Sequence, residues 1–155
     1  MASRRLIFST ITTRSAAETE RLGRDLGRKI QSGLCIALVG GLGAGKTVFA
    51  RGLCRGLGVL EDVLSPTFIL YEEFKGRLSV IHIDLYRLEH ETDIEALGVF
   101  DLIGGNNIIV AEWGDRSDAL MASSDLVVRI RPRDEGTREI IYEGTRDIQL
   151  KLEKP

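Results

Sequence analysis

The sequence predicts an α/β fold, with helices layered on a mixed parallel and antiparallel central sheet, in a single domain. Three observations lead there. Leu34 to Val39 is an unbroken apolar run of strand length, and the glycine-rich run Gly40-Gly41-Leu42-Gly43-Ala44-Gly45-Lys46-Thr47 follows it directly. From Val48 a helical pattern puts Phe49, Leu53 and Leu57 on one face. Strand, glycine loop and helix in that order make a parallel α/β unit. Two further pairs of β-rich runs are joined by short turns, at Lys75-Gly76-Arg77 and at Pro132-Arg133-Asp134-Glu135-Gly136, and such turns require antiparallel neighbours.

Composition narrows the class. The 155 residues suit one domain, 1–155, and 43% hydrophobic residues supply its core. No apolar run approaches the ~18 residues of a membrane span, so the expected setting is cytoplasmic, with no membrane partner. A net charge of −2 argues against a free-standing nucleic-acid binder, which needs a basic face. It leaves room for RNA held by another subunit. Cys35 and Cys54 lack metal or redox spacing and read as small buried hydrophobes. His82 and His90 lack metal spacing as well.

The elements follow in order. Met1 to Ala17 carries Arg4, Arg5 and Arg14, hydroxyl residues and no acid, which is the composition of a transit peptide. Leu6 to Thr12 also reads as a first strand, and that reading is preferred. Ser15-Ala16-Ala17-Glu18 is a capping box opening a helix with Leu22, Leu26 and Ile30 at spacing four, closed by Gly33. The helix after the glycine loop closes at Gly58. Thr67 to Phe74 is a strand, turning at Lys75-Gly76-Arg77 into Leu78 to Asp84. Thr92-Asp93-Ile94-Glu95 is a second capping box, for a short helix stopping near Gly98. Asn107 to Ala111 is a buried strand, Asp125 to Arg131 and Thr137 to Glu143 form a terminal hairpin, and the tail frays from about Lys151.

Gly40 to Thr47 has the spacing G-x-x-x-x-G-K-[ST] of a phosphate-binding loop. Backbone N–H groups from Gly41, Leu42, Gly43, Ala44, Gly45, Lys46, Thr47 and Val48 can surround phosphate oxygens; Lys46 can reach the β/γ-phosphates and the Thr47 hydroxyl can ligate Mg²⁺. Asp84 and Glu112 each stand just beyond an apolar strand, and ligands of α/β sheets gather at strand carboxyl ends. Either acid can reach Mg²⁺ on a nucleotide held there, and the pattern alone does not say which holds metal and which orients water. Ser65-Pro66-Thr67 occupies the interval where GTPases keep a γ-phosphate sensor, although a plain proline turn explains it too. Trp113, the only tryptophan, follows Glu112.

Together, the phosphate loop, Ser65-Pro66-Thr67-Phe68, His82-Ile83-Asp84-Leu85-Tyr86-Arg87, Glu95-Ala96-Leu97-Gly98 and Ala111-Glu112-Trp113 resemble the bacterial TsaE family of P-loop ATPases over nearly the whole chain. The resemblance implies a P-loop NTPase-like three-layer fold and a role in making N6-threonylcarbamoyladenosine in tRNA. It implies ATP and Mg²⁺ as cofactors and ATP hydrolysis slow alone and stimulated by TsaD-like and TsaB-like partners, with tRNA met only through that complex. By the same resemblance Thr47 and Glu112 match Mg²⁺ ligands, Asp84 an acid needed for hydrolysis and Trp113 a functional aromatic. Thr13 and Ser15 lie in a segment matching one near the base, and Arg138 matches, more loosely, an arginine that touches ATP. Gly41 stands where relatives often have Asp, and Val48 where a second Thr is common. Two other classes stay open: a small-molecule kinase, for which Arg129, Arg131 and Arg133 are the only dense arginine cluster, and a nucleotide-gated switch with negligible turnover.

Overall fold

The computed structural model describes residues 4–64 and 71–153. In chain order the elements are β1 (Leu6–Thr13), α1 (Ala16–Lys29), β2 (Leu34–Val39), α2 (Lys46–Gly56), β3 (Tyr71–Lys75), β4 (Ser79–Asp84), α3 (Glu91–Ala96), α4 (Val99–Leu102) and β5 (Asn107–Glu112). A 3-10 turn (Gly114–Arg116), α5 (Asp118–Ser123), β6 (Leu126–Pro132), β7 (Arg138–Gly144) and α6 (Arg146–Glu153) complete the chain. The sheet order is β1-β7-β6-β2-β5-β4-β3. β6, β2, β5 and β4 run parallel; β3 is antiparallel to β4, β7 to β6 and β1 to β7. The mixed sheet expected from the sequence is the one found.

Side chains alternate across the sheet with period two, and each face has its own core. Ile36 and Leu38 of β2 with Val80, Ile108, Val110, Val128 and Ile130 pack against Leu26, Phe49, Leu53 and Leu57 of α1 and α2. Ile81, Ile83, Ile109 and Ala111 face the other way, onto Ile94, Val99 and Leu120. The β2 strand is buried on both faces, which is why its sequence is a continuous apolar run rather than an alternating one. Burial pushes the thiol pKa of Cys35 up to about 11 and that of Cys54 to about 12. No helix among the described residues is long and apolar enough to cross a membrane.

α1 and α2 approach through paired glycines. A Cβ on Gly23 would strike the Phe49 carbonyl, on Gly27 that of Leu53, on Gly52 that of Glu20 and on Gly56 that of Arg24. Gly23/Gly27 and Gly52/Gly56 thus form two i,i+4 pairs that let the helix backbones touch. Arg77, in the β3–β4 turn, fastens the far ends of both helices. Its guanidinium donates to the carbonyls of Ile30 (3.1 Å), Gly27 (2.9 Å) and Gly56 (3.2 Å). Helix C-termini carry unsatisfied carbonyls and partial negative charge, so a cation there is doubly favourable.

Several local expectations are corrected. α1 ends at Lys29, where Ile30 turns extended, so Gly33 is not its cap; Gly33 is needed because the Gly105 carbonyl lies where a Cβ would be. α3 starts two residues before the expected box. His90 is its N-cap and the Asp93 carboxylate accepts from the His90 N–H at 3.0 Å, which leaves Thr92 and Glu95 inside the helix. Residues 151–153 are helical rather than frayed, because Leu152 is buried against the α1 face of the sheet. α4, the 3-10 turn, α5 and α6 carry too few apolar positions for a periodicity to register. Residues 67–70 of the expected strand lie outside the described residues.

Candidate nucleotide site

The glycine loop joins the carboxyl end of β2 to the amino end of α2. Gly43 and Gly45 have φ of 73° and 109°, a region that side chains resist. The loop closes on itself through Ala44 N–H to Gly41 O (3.1 Å). Gly41, Leu42 and Gly43 are exposed, Ala44 is buried, and Gly45, Thr47 and Val48 are half-buried. No side chain caps α2, so its first N–H groups point outward over an anion-binding helix start.

Lys46 is 5% exposed. Its ammonium donates to the carbonyls of Gly40 and Gly41, both at 2.7 Å, and lies 4.0 Å from the centre of the Trp113 ring. Burial lowers its pKa, and the nearby carboxylates of Glu112, Asp84 and Asp115 act in the opposite sense. Trp113 reaches this place because its backbone takes φ of +57°, alone among the described non-glycine residues. Tyr86 packs against it at 5.0 Å between ring centres. Arg116 lies 5.2 Å from the Tyr86 ring and 5.5 Å from the Trp113 ring.

The two acids come together because β4 and β5 are parallel neighbours with Asp84 opposite Glu112 in register. Glu112 is 2% exposed and accepts from the Thr47 hydroxyl at 2.7 Å. A hydroxyl and a carboxylate oxygen in contact at the phosphate loop are the hard donors Mg²⁺ prefers. Among the described residues no three His, Cys, Asp or Glu side chains form a metal cage. Asp84 is half-buried and accepts from the Tyr86 N–H at 2.9 Å. It stands opposite Glu112 in register, one strand further from β2.

The N-terminal segment lies at the same end of the sheet. Thr13 pairs in register with Arg138, and its hydroxyl shares a 2.7 Å hydrogen bond with that of Thr19. Ser15 is the N-cap of α1, accepting from Glu18 N–H at 3.1 Å, while the Glu18 carboxylate returns to Arg14 N–H at 2.6 Å. Arg138 Nε donates to the Ala44 carbonyl at 3.0 Å, so the loosely matched arginine does reach the phosphate loop. Ser65-Pro66-Thr67 lies outside the described residues.

The sequence reading missed two neighbours of the site. Arg116 follows Trp113 by three residues and carried no motif. His82 had been considered for metal spacing and as the first residue of the run through Arg87, with no role at the site; strand alternation was the available signal, since two residues before Asp84 places it on the same face as both acids.

A glycine loop after a buried parallel strand, with Lys46 and Thr47 at the start of the next helix and an acid from the adjacent strand on Thr47, defines a P-loop nucleotide-binding protein. Comparison with known proteins makes this particular. The family model "Threonylcarbamoyl adenosine biosynthesis protein TsaE" matches residues 13–140. The tRNA threonylcarbamoyladenosine biosynthesis protein TsaE of Treponema pallidum is 38% identical over 128 residues, covering 83% of this chain and 95% of its own. That of Bacillus subtilis is 32% identical over 126 residues, 81% of this chain and 78% of its own. The crystal structure of Bacillus subtilis YdiB superposes with a TM-score of 0.77 at 23% identity, covering 95% of this chain and 93% of that one, and shows the same fold. The chain belongs to the TsaE family.

Proposed function

We propose that this protein binds and hydrolyses ATP with Mg²⁺ as the energy-coupling subunit of the cytoplasmic complex that installs N6-threonylcarbamoyladenosine in tRNA. Its partners are TsaD-like and TsaB-like proteins, and tRNA is met through them. The observation that carries this reading is the Thr47–Glu112 contact at the phosphate loop of a chain matching TsaE over residues 13–140. Lys46 and the N–H groups from Gly41 to Val48 hold the phosphates. Thr47 and Glu112 hold Mg²⁺, which when bound neutralises charge developing on the phosphoryl oxygens. Asp84 positions the attacking water. Trp113 and Tyr86 wall the site and limit access of other water. Thr13 and Ser15 border the nucleotide, and Arg138 braces the loop through Ala44.

The acids should separate by role. Glu112→Gln weakens Mg²⁺-dependent ATP binding by at least the ~10-fold that loss of an outer-shell partner costs. Asp84→Asn lowers single-turnover hydrolysis more than binding. Isothermal titration and quench-flow measure the two; the reverse pattern reassigns the acids.

Hydrolysis by the isolated chain is expected to be slow and to rise with partners. Arg116 lies over the Tyr86 and Trp113 rings and Arg138 donates to the Ala44 carbonyl, so these two arginines near the loop are engaged within the chain. A transition-state cation supplied in trans contributes ~10³–10⁵ in rate for GTPases. Phosphate release is measured for the chain alone, with the TsaD-like and TsaB-like pair, and with tRNA added. Fast turnover alone, unchanged by partners, overturns the coupled reading, and phosphate transfer to a metabolite replaces it with a kinase.

A further inference from the structure

We propose that His82 is the positioning residue for the Glu112 carboxylate, dividing its two oxygens so that one is held by imidazole and the other is presented to Thr47 and the metal. The proposal rests on the Mg²⁺-nucleotide reading above. His82 is fully buried in β4, and Nε2 lies 2.6 Å from Glu112 Oε2. Glu112 Oε1 is the atom that accepts from the Thr47 hydroxyl, at 2.7 Å. The three side chains form a line, His82–Glu112–Thr47, running from inside the sheet to the first turn of α2.

The geometry assigns the proton. A carboxylate only accepts, so Nε2 is the donor. Nδ1 is buried and has no hydrogen-bond partner among the described residues, so a proton there would be an orphaned donor. The Nε2–H tautomer is the arrangement that leaves no N–H unpaired. The contact is diagonal across the sheet: Val110 is opposite His82 in register, and Glu112 is opposite Asp84. The imidazole therefore reaches toward the carboxyl ends of the strands, where the loop sits. A carboxylate that ligates through one oxygen must have its rotation fixed, and a buried donor on the second oxygen does that. A histidine serving core packing alone would not require the second oxygen to point at the phosphate loop.

Two polar variants of similar fit separate positioning from stability. In His82→Gln the amide nitrogen reaches the place of Nε2; in His82→Asn it reaches only that of Nδ1. The probe is ADP with increasing Mg²⁺, followed by isothermal titration, and the readout is the Mg²⁺ concentration at half-maximal gain in affinity. H82N is expected to raise it about tenfold or more, and H82Q to stay within about threefold of wild type. ADP affinity in EDTA should be the same for all three, because the phosphate contacts are untouched. A Mg²⁺ midpoint in H82N equal to that of H82Q overturns the proposal. So does a ¹⁵N spectrum of the wild-type protein that places the ring proton on Nδ1, a measurement that needs no variant to fold. If wild-type ADP affinity ignores Mg²⁺ altogether, the metal reading of the site fails and the positioning role falls with it.

Discussion

Replacing Lys46 by Ala is expected to weaken ATP binding about ten- to a hundredfold, since each charge-assisted bond to phosphate contributes ~1.5–3 kcal/mol. Hydrolysis falls at least as far, because the same cation meets charge that grows on the phosphoryl group. The structure adds a condition. The Lys46 ammonium also ties the loop together through Gly40 and Gly41 and lies over Trp113. Part of the loss can therefore come from a loosened loop. Calorimetry in parallel with ATP titration separates the two. A melting temperature close to wild type with reduced affinity assigns the effect to phosphate contact. Unchanged affinity and turnover in folded Lys46→Ala protein would sink the phosphate-loop reading.

The largest stability effect is expected away from the chemistry, at Gly52. An added methyl there meets the Glu20 carbonyl of α1, and both partners are helix backbone that cannot rotate aside. Overpacking typically costs ~1–3 kcal/mol, and a backbone-to-backbone clash belongs at the upper end or beyond. For a chain of this size, ~3 kcal/mol lowers the melting temperature by about 10 °C. Helix propensity works the other way, since Ala exceeds Gly by ~1 kcal/mol in a helix interior, so a net loss isolates the close approach. Gly41→Ala is the control, because nothing lies within 4 Å of a Cβ there. A Gly52→Ala protein as stable as wild type would mean the helices can separate cheaply. α2 carries Lys46 and Thr47, so a displaced α2 should also weaken nucleotide binding.

Much of the site was legible because its signals are local. A phosphate loop needs glycines at fixed spacing, a lysine and a hydroxyl in consecutive positions, and an apolar strand just before them. Each of these requirements is met within fourteen residues of chain, from Leu34 to Thr47. The two acids were legible as strand-end residues for the same reason. Which of them meets the Thr47 hydroxyl was not, because that is decided by the parallel register of β4 and β5 beside β2. The misplaced start of α3 has a different cause. His90-Glu91-Thr92-Asp93 lacks the hydroxyl and Glu of the capping-box pattern, yet the Asp93 carboxylate meets the His90 N–H and the helix starts there.

What the sequence determined by itself was the class of fold, the phosphate loop and the acids at the strand ends. Each follows from spacing along the chain. The tertiary structure decided which of them meet. It placed His82 and Thr47 on opposite oxygens of Glu112, brought Arg138 from the last strand to Ala44, and set Trp113 over Lys46 with a left-handed backbone. It also turned four glycines into the contact surface between α1 and α2. These pairings join residues far apart in sequence, so no local pattern encodes them. They arise because burying both faces of one sheet leaves a single arrangement in which the strands, the helices and their polar groups are all satisfied.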